Sequence, residues 1–167
     1  NDNFLIVIKP RNGKLSEPTV MSLVEKMTEA AWSIPYAIRV DSLTNFQHTY
    51  ALEDDLIVKD LIEDPESLSS DELTTRLEIA LAEPLLSGRL ISLDKTATGI
   101  NITLQYPNIA LSEVPEALGY TRDLVKQFET ANPNIEIAIT GVSALNGAFA
   151  EATVTDAKTL FGPMFLV

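Results

Sequence analysis

The sequence has no cysteine and only one histidine, His48. The first absence excludes disulfides, thiolate metal sites and cysteine nucleophiles, and a single histidine leaves a structural zinc site almost without ligands. A Ser/His/Asp triad would have to be built on His48. Ser33, Asp41 and Ser42 are close in sequence, but no Gly-x-Ser-x-Gly elbow accompanies them. A lone histidine in a polar stretch reads as a surface residue. Positive charge is also scarce: 12 Lys and Arg stand against 24 Asp and Glu, a net charge of −12. That balance argues against a polyanion partner, because nucleic-acid binding depends on cationic neutralisation of phosphates. It would also repel an anionic membrane surface. No internal run approaches the roughly 20 apolar residues of a membrane span. Phosphate-binding frames are missing too. Arg11-Asn12-Gly13-Lys14 lacks the glycines and the Lys-Ser/Thr end of a phosphate loop, and Gly141 and Gly147 do not fit Gly-x-Gly-x-x-Gly.

The chain does have the means to fold. Its 167 residues are 46% hydrophobic and 22% charged, which fits one domain or one domain with a sizeable insertion. Phe4 to Lys9 is a continuous apolar run ended by Pro10, read as a central strand covered on both faces. Ser16-Glu17-Pro18 is a helix start, and Val20, Leu23, Met27, Ala31 and Ile34 recur at helical spacing until Pro35. Met27 and Trp32 on this helix read as core. Tyr36 to Val40 is a second strand. Ile100 to Tyr106 and Ile135 to Ile139 alternate with period 2, the mark of one buried and one wetter face. Between them Ser112, Glu113 and Pro115 open a helix carrying Val114, Leu118, Thr121, Val125 and Phe128, stopped by Asn132-Pro133-Asn134.

Strand, helix, strand, a long middle, then strand, helix, strand gives the expected fold class. It is α+β, a ferredoxin-like βαββαβ sandwich with a mixed α/β insertion between the second and third core strands. The core spans 1–41 and 99–141, and the insertion 42–98. In the insertion, Tyr50 to Val58 suggests a strand or hairpin arm. Ser69-Ser70-Asp71-Glu72 is a capping box ahead of Leu73, Leu77, Ala80 and Leu81. Arg89 to Leu93 suggests a short strand before an Asp94-Lys95 turn. The acidic stretch 53–66 reads as the solvated face of an amphipathic element, since it lacks calcium-loop spacing. Asn101-Ile102-Thr103 matches a glycosylation acceptor but lies in an expected strand. From 142 to 167 a connecting helix is expected, ending in Pro163-Met164-Phe165-Leu166-Val167, which reads equally as the first turn of a membrane span or as a terminal helix or strand that packs on the domain. The start at Asn1, with no leader, and this apolar tail suggest a piece of a longer protein.

Four segments in series carry a resemblance. Ile38 to Asn45, with Ser42-Leu43-Thr44-Asn45, is similar to a V-x-S-L-T-N pattern. Pro84 to Ser92, with Gly88, is similar to P-x-x-x-G-x-L-I-S. Pro133 to Gly141, with Thr140-Gly141, is similar to P-x-I-E-I-x-x-T-G. Asp156 to Pro163 is similar to D-x-x-x-L-x-x-P. Together they resemble the large extracytoplasmic loop after the first transmembrane helix of resistance-nodulation-division (RND) superfamily exporters, of the mycobacterial-membrane-protein-large (MMPL) and Patched-like branch. The resemblance implies a porter-type periplasmic domain of a membrane protein, on the periplasmic or extracellular side of the cytoplasmic membrane. Its partners would be the transmembrane helices and second porter domain of the same transporter, with a homo-oligomer as a further arrangement. It implies efflux of hydrophobic or lipid-like substrates driven by protons, with the proton carboxylates in absent helices. The segment 144–160, with Asn146, Glu151 and Asp156 on a wet face, would act as a lever between span and domain.

Catalytic, cofactor and metal residues are not assigned to this chain, which is expected not to be an enzyme. The alternative reading is a free-standing ferredoxin-like module that binds or is regulated by a small ligand on its sheet face.

Overall fold

In a computed structural model, residues 2–161 are described, with side chains through Ala152. The chain is α+β, with four α-helices and two antiparallel sheets among the described residues. The elements run β1 (Asp2–Pro10), α1 (Pro18–Ala31), β2 (Ala37–Asp41), β3 (Gln47–Leu52), β4 (Asp55–Asp60), a 3-10 turn (Pro65–Ser67), α2 (Ser70–Ala82), β5 (Thr98–Leu104), α3 (Glu113–Ala131), β6 (Ile135–Thr140) and α4 (Val142–Phe161).

The main sheet has the order β2-β5-β1-β6, antiparallel throughout. Registers such as Ile6 opposite both Ile100 and Ile139 set one face. Phe4, Ile6, Ile8, Ile100, Ile102 and Leu104 are buried on that face, under α1 and α3. Alternation in β1 sends Leu5 and Val7 to the opposite face, where they are only half-buried. The expected cover on both faces is therefore incomplete: the two helices lie on one side, and the insertion reaches only part of the other.

Local signals explain the helices. Pro18 at the first turn of α1 supplies a preset φ where no amide partner is needed. Ser69 and Glu72 form the capping box of α2: Ser69 N–H donates to Glu72 Oε2 at 2.8 Å, and Glu72 N–H to Ser69 Oγ at 3.2 Å. The expected Ser112 opening of α3 works differently. Its hydroxyl caps nothing, and the buried Glu113 carboxylate turns back instead to accept N–H bonds from Asn108, Ile109 and Ala110 at 2.8 to 3.1 Å. Desolvation pushes Glu113 up, but these three donors prevail and hold its pKa below the usual carboxylate range.

Three further expectations are corrected. Trp32 is 52% exposed, because α1 closes one residue earlier and turns the indole outward, whereas Met27 is fully buried. Arg89 to Leu93 forms no strand. Leu86 C=O accepts from Arg89, Leu90 and Ile91 N–H in a tight turn, and Gly88 adopts φ 69°, so only isolated bridges to Ile91 remain. The acidic stretch is not one face. Glu53 and Asp54 form the β3–β4 turn, while Glu66 sits in the 3-10 turn and accepts from Ser22 and Lys26 at 2.6 and 3.0 Å.

Candidate functional site

The exposed face of the main sheet carries the candidate site. Leu5 lies opposite Asn101 on one side and Thr140 on the other. Above β5, the 85–90 turn of the insertion comes into van der Waals contact with the sheet: a Cβ on Gly99 would lie 3.6 Å from Leu90 Cδ2 and 3.7 Å from Arg89 C=O. The turn does not close over the sheet. A cleft of about 360 Å³ remains between Leu5 and Asn101 on the sheet, Arg39 and Asp41 on β2, Phe46, and Leu85, Leu86, Arg89 and Leu90 on the insertion. That volume suits a small ligand, and the lining is mainly apolar with a few polar groups, as in small-molecule sites.

The polar groups differ in their freedom. Arg39 Nε donates to Asp41 Oδ1 at 2.8 Å, and Asn3 Nδ2 to Asn101 Oδ1 at 2.8 Å. Arg89 is exposed and forms no ion pair among the described residues. In a chain of net charge −12 this leaves one available guanidinium beside apolar side chains. The arrangement can hold an amphipathic molecule. No nucleophile-base pair lines it, and no three acidic or histidine side chains among the described residues could hold a metal ion.

The residues singled out by resemblance play distinct structural parts. Ser42, Leu43, Thr44 and Asn45 form the turn that leaves β2. Asn45 Oδ1 accepts the Ser42 N–H at 2.8 Å while its Nδ2 donates to Val40 C=O at 2.8 Å. Ser42 Oγ lies 2.9 Å from Thr28 Oγ1 and 2.8 Å from Thr44 Oγ1, so the loop is tied to α1 by buried hydroxyls. Leu43 is fully buried. This tetrad shapes the wall beside Phe46 rather than presenting side chains to the cleft. Gly88 supplies a left-handed turn whose N–H donates to Ile91 C=O at 2.9 Å. Thr140 ends β6, and Gly141 (φ 110°) presses against Asn3 and Phe4. Asp156 lies in α4, with its side chain outside the described residues. Pro163 and the apolar tail lie outside them altogether. His48 is half-buried on β3, stacks on Tyr50 at 5.7 Å, and is not among the residues lining the cleft.

Sequence reasoning missed Leu5 and the Arg39–Asp41 pair. The alternation inside Phe4 to Ile8 could have exposed Leu5, but a continuous apolar run hides a period of 2.

A second turn, Ser92 to Ala97, closes the insertion ahead of β5. Asp94 accepts from the Ser92 hydroxyl at 2.6 Å, the Thr96 hydroxyl at 2.7 Å and the Thr96 N–H at 3.1 Å, which pulls its pKa from 3.8 down to about 2. A depressed acid contributes stability above its unfolded pKa and loses it as pH falls through the folded one. Urea unfolding of Asp94→Asn is therefore expected to show a lower midpoint than the parent at pH 6. The difference should shrink between pH 3.8 and about 2. A constant difference across that window would refute the role.

Leu90 and Leu86 come from the insertion and Leu5 from the first strand, so the cleft exists only if the two regions fold together. Among the described residues no helix is long and apolar enough to cross a membrane. No protein-family model matches this chain, and no curated protein matches it.

Proposed function

We propose that this chain is the extracytoplasmic, porter-type domain of a proton-driven exporter of the RND superfamily, MMPL and Patched-like branch, and that its cleft borders the passage for hydrophobic or lipid-like substrates. The carrying observation is that two of the resembling segments, 38–45 and 84–92, meet across one cleft with apolar lining. Supporting the finer fold reading is the strand order β6-β1-β5-β2, with both sequence-adjacent helices on one face, which is the arrangement of a ferredoxin-like split βαββαβ. Supporting a looped-out domain is the neighbourhood of β1 and α4: Val142 N–H donates to Asn3 Oδ1 at 3.2 Å, so entry into the sheet and exit from it are side by side. The exit helix then lies along α3, with Gly147 against Leu118 and Arg122 paired with Glu151. Its carboxyl-terminal half would continue toward a membrane span.

In this reading the domain performs no chemistry. It supplies a surface of apolar side chains and one free guanidinium, and α4 carries movement between membrane and domain. The test is the gene sequence outward from both ends. About 20 apolar residues before Asn1 and a second such span beyond Val167 are expected. A stop codon or polar linker after Val167 would overturn the exporter reading and leave a free-standing module that binds a small ligand in the same cleft.

A further inference from the structure

The β3–β4 hairpin stands apart. Among the described residues its two strands pair with each other and with no third strand, and neither packs substantially on another element. Yet it is not polar. Leu56 is 73% exposed and Val58 54% on one face, and Leu52 is 56% exposed on the other. A lone two-stranded hairpin is marginal in water, and apolar side chains on both faces add to that cost. The free edge of β4 is a template for another strand.

We infer that β4 pairs with β4 of a second copy of this chain, antiparallel about a two-fold axis through Ile57, giving a four-stranded sheet across the dimer. The ladder fixes the register. Leu52 and Asp55 close a two-residue turn, and bonded pairs alternate from there. Leu61 N–H to Phe46 C=O, 2.7 Å, keeps the same phase at the other end. Ile57 and Lys59 therefore spend their backbone groups on β3, while Leu56 and Val58 turn theirs to the open edge. With Ile57 on the axis, Leu56 of one copy meets Val58 of the other, and both have the outward groups needed to bond.

The side chains agree with that register. Asp55 meets Lys59, twice by symmetry, on the face that also brings Ile57 against its own copy. Leu56 meets Val58 on the opposite face. Lys59 is the hairpin's only cation and, among the described residues, forms no ion pair. The register has one mismatch, Asp54 facing Asp60 at each end. There Asp54 lies in the turn and Gln47 already donates to Asp60. A partner of unrelated sequence would have to supply Lys, Val, Ile, Leu and Asp in the reverse order; a second copy supplies them without change. This inference stands independently of the exporter reading.

Sedimentation equilibrium of the 167-residue chain, over about 1 µM to 1 mM, tests it. A concentration-dependent dimer is expected, with Leu56 and Val58 amides exchanging more slowly as the dimer fills. Lys59→Asp sets two carboxylates face to face twice and should weaken the dimer about tenfold or more. Adding Asp55→Lys to that variant restores both pairs in swapped order and should recover most of the lost affinity. An unchanged melting temperature in both variants separates lost pairing from lost folding. A chain that stays monomeric, a Lys59→Asp variant that dimerises as the parent does, or a double swap no better than the single change overturns the proposal. Protection of the Leu56 and Val58 amides only when phosphatidylcholine vesicles are added overturns it too, and assigns the edge to a lipid surface.

Discussion

Gly141→Ala is expected to lower stability by about 3 to 5 kcal/mol, the sum of a strained backbone and an overpacked contact. Gly141 adopts φ 110°, which side chains rarely accept. The added Cβ would also lie 2.6 Å from Asn3 C=O and 3.1 Å from both Leu5 N and Phe4 Cα. These are backbone atoms of the central strand, where Asn3 and Phe4 pair with β5 and Leu5 with both β5 and β6, so they cannot rotate away as a side chain could. At about 2 to 4 °C per kcal/mol for a chain of this size, the melting temperature should fall by roughly 10 °C. Two other glycines calibrate the result. Gly88 has φ 69° but open space around its Cβ position, so Gly88→Ala carries only the conformational cost, about 1 kcal/mol. Gly119 lies in α3 with nothing nearby, and Gly119→Ala should stabilise by about 0.5 to 1 kcal/mol. Denaturant midpoints in that order support the account. A Gly141→Ala midpoint equal to that of Gly88→Ala would show that the β1 backbone yields.

Features legible in the sequence are those whose signal is local. The capping box at Ser69 needs four consecutive residues, and it is present as read. Alternation in Ile100 to Leu104 and Ile135 to Ile139 gave two strands because every second side chain meets the same face. The stop at Asn132-Pro133-Asn134 also holds, with α3 closing at Ala131, whereas α1 closes at Ala31, before Ile34 and the expected stop at Pro35. Features that depend on distant partners were hidden. Arg89 to Leu93 has the composition of a strand, yet three amides converge on Leu86 C=O and curl it. Trp32 looks like core by type, but its neighbour Ile34 fills the space under the helix end and is 2% exposed. The cleft depends on the 85–90 turn meeting Leu5 across some 80 positions of sequence, and no local pattern encodes that distance. The role of Ser42 to Asn45 was half legible. The segment was singled out, but only its hydrogen bonds to Thr28 and Val40 show that it builds the wall.

Gly147→Leu is expected to release α4 from α3 and, in a complete exporter, to reduce export to background while the domain stays folded. Gly147 lies close against α3: a Cβ there would lie 2.5 Å from Leu118 Cδ2 and 3.8 Å from Val114 Cγ1. Leu118 is 2% exposed, with little room to retreat. A leucine at 147 therefore brings four carbons into filled space, an overpacking of about 1 to 3 kcal/mol. The start of α4, where Ser143 is fully buried and Ala144 packs on the core, stays with the sheet, and beyond it the forces opposing release are modest. The Arg122–Glu151 pair, at 2.6 and 3.2 Å, is half exposed and screened by solvent, so it holds the helix only weakly. Asn3 holds Val142 through one bond to an exposed residue. A helix stripped of its contacts is marginal in water at this length. Undocking should therefore appear as lost amide protection over 145–152, with β1, β5 and β6 as protected as before. Gly147→Ala is the graded control, since it adds one carbon and asks only that Leu118 Cδ2, the end of a rotatable side chain, swing away by about 1 Å. It should keep α4 docked. If α4 links membrane movement to the sheet, a helix that no longer bears on α3 transmits nothing, and transport stops with the fold intact. Preserved protection over 145–152 in Gly147→Leu would refute the packing argument. Undocked α4 with export at the parent rate would instead show that movement reaches the domain by another route.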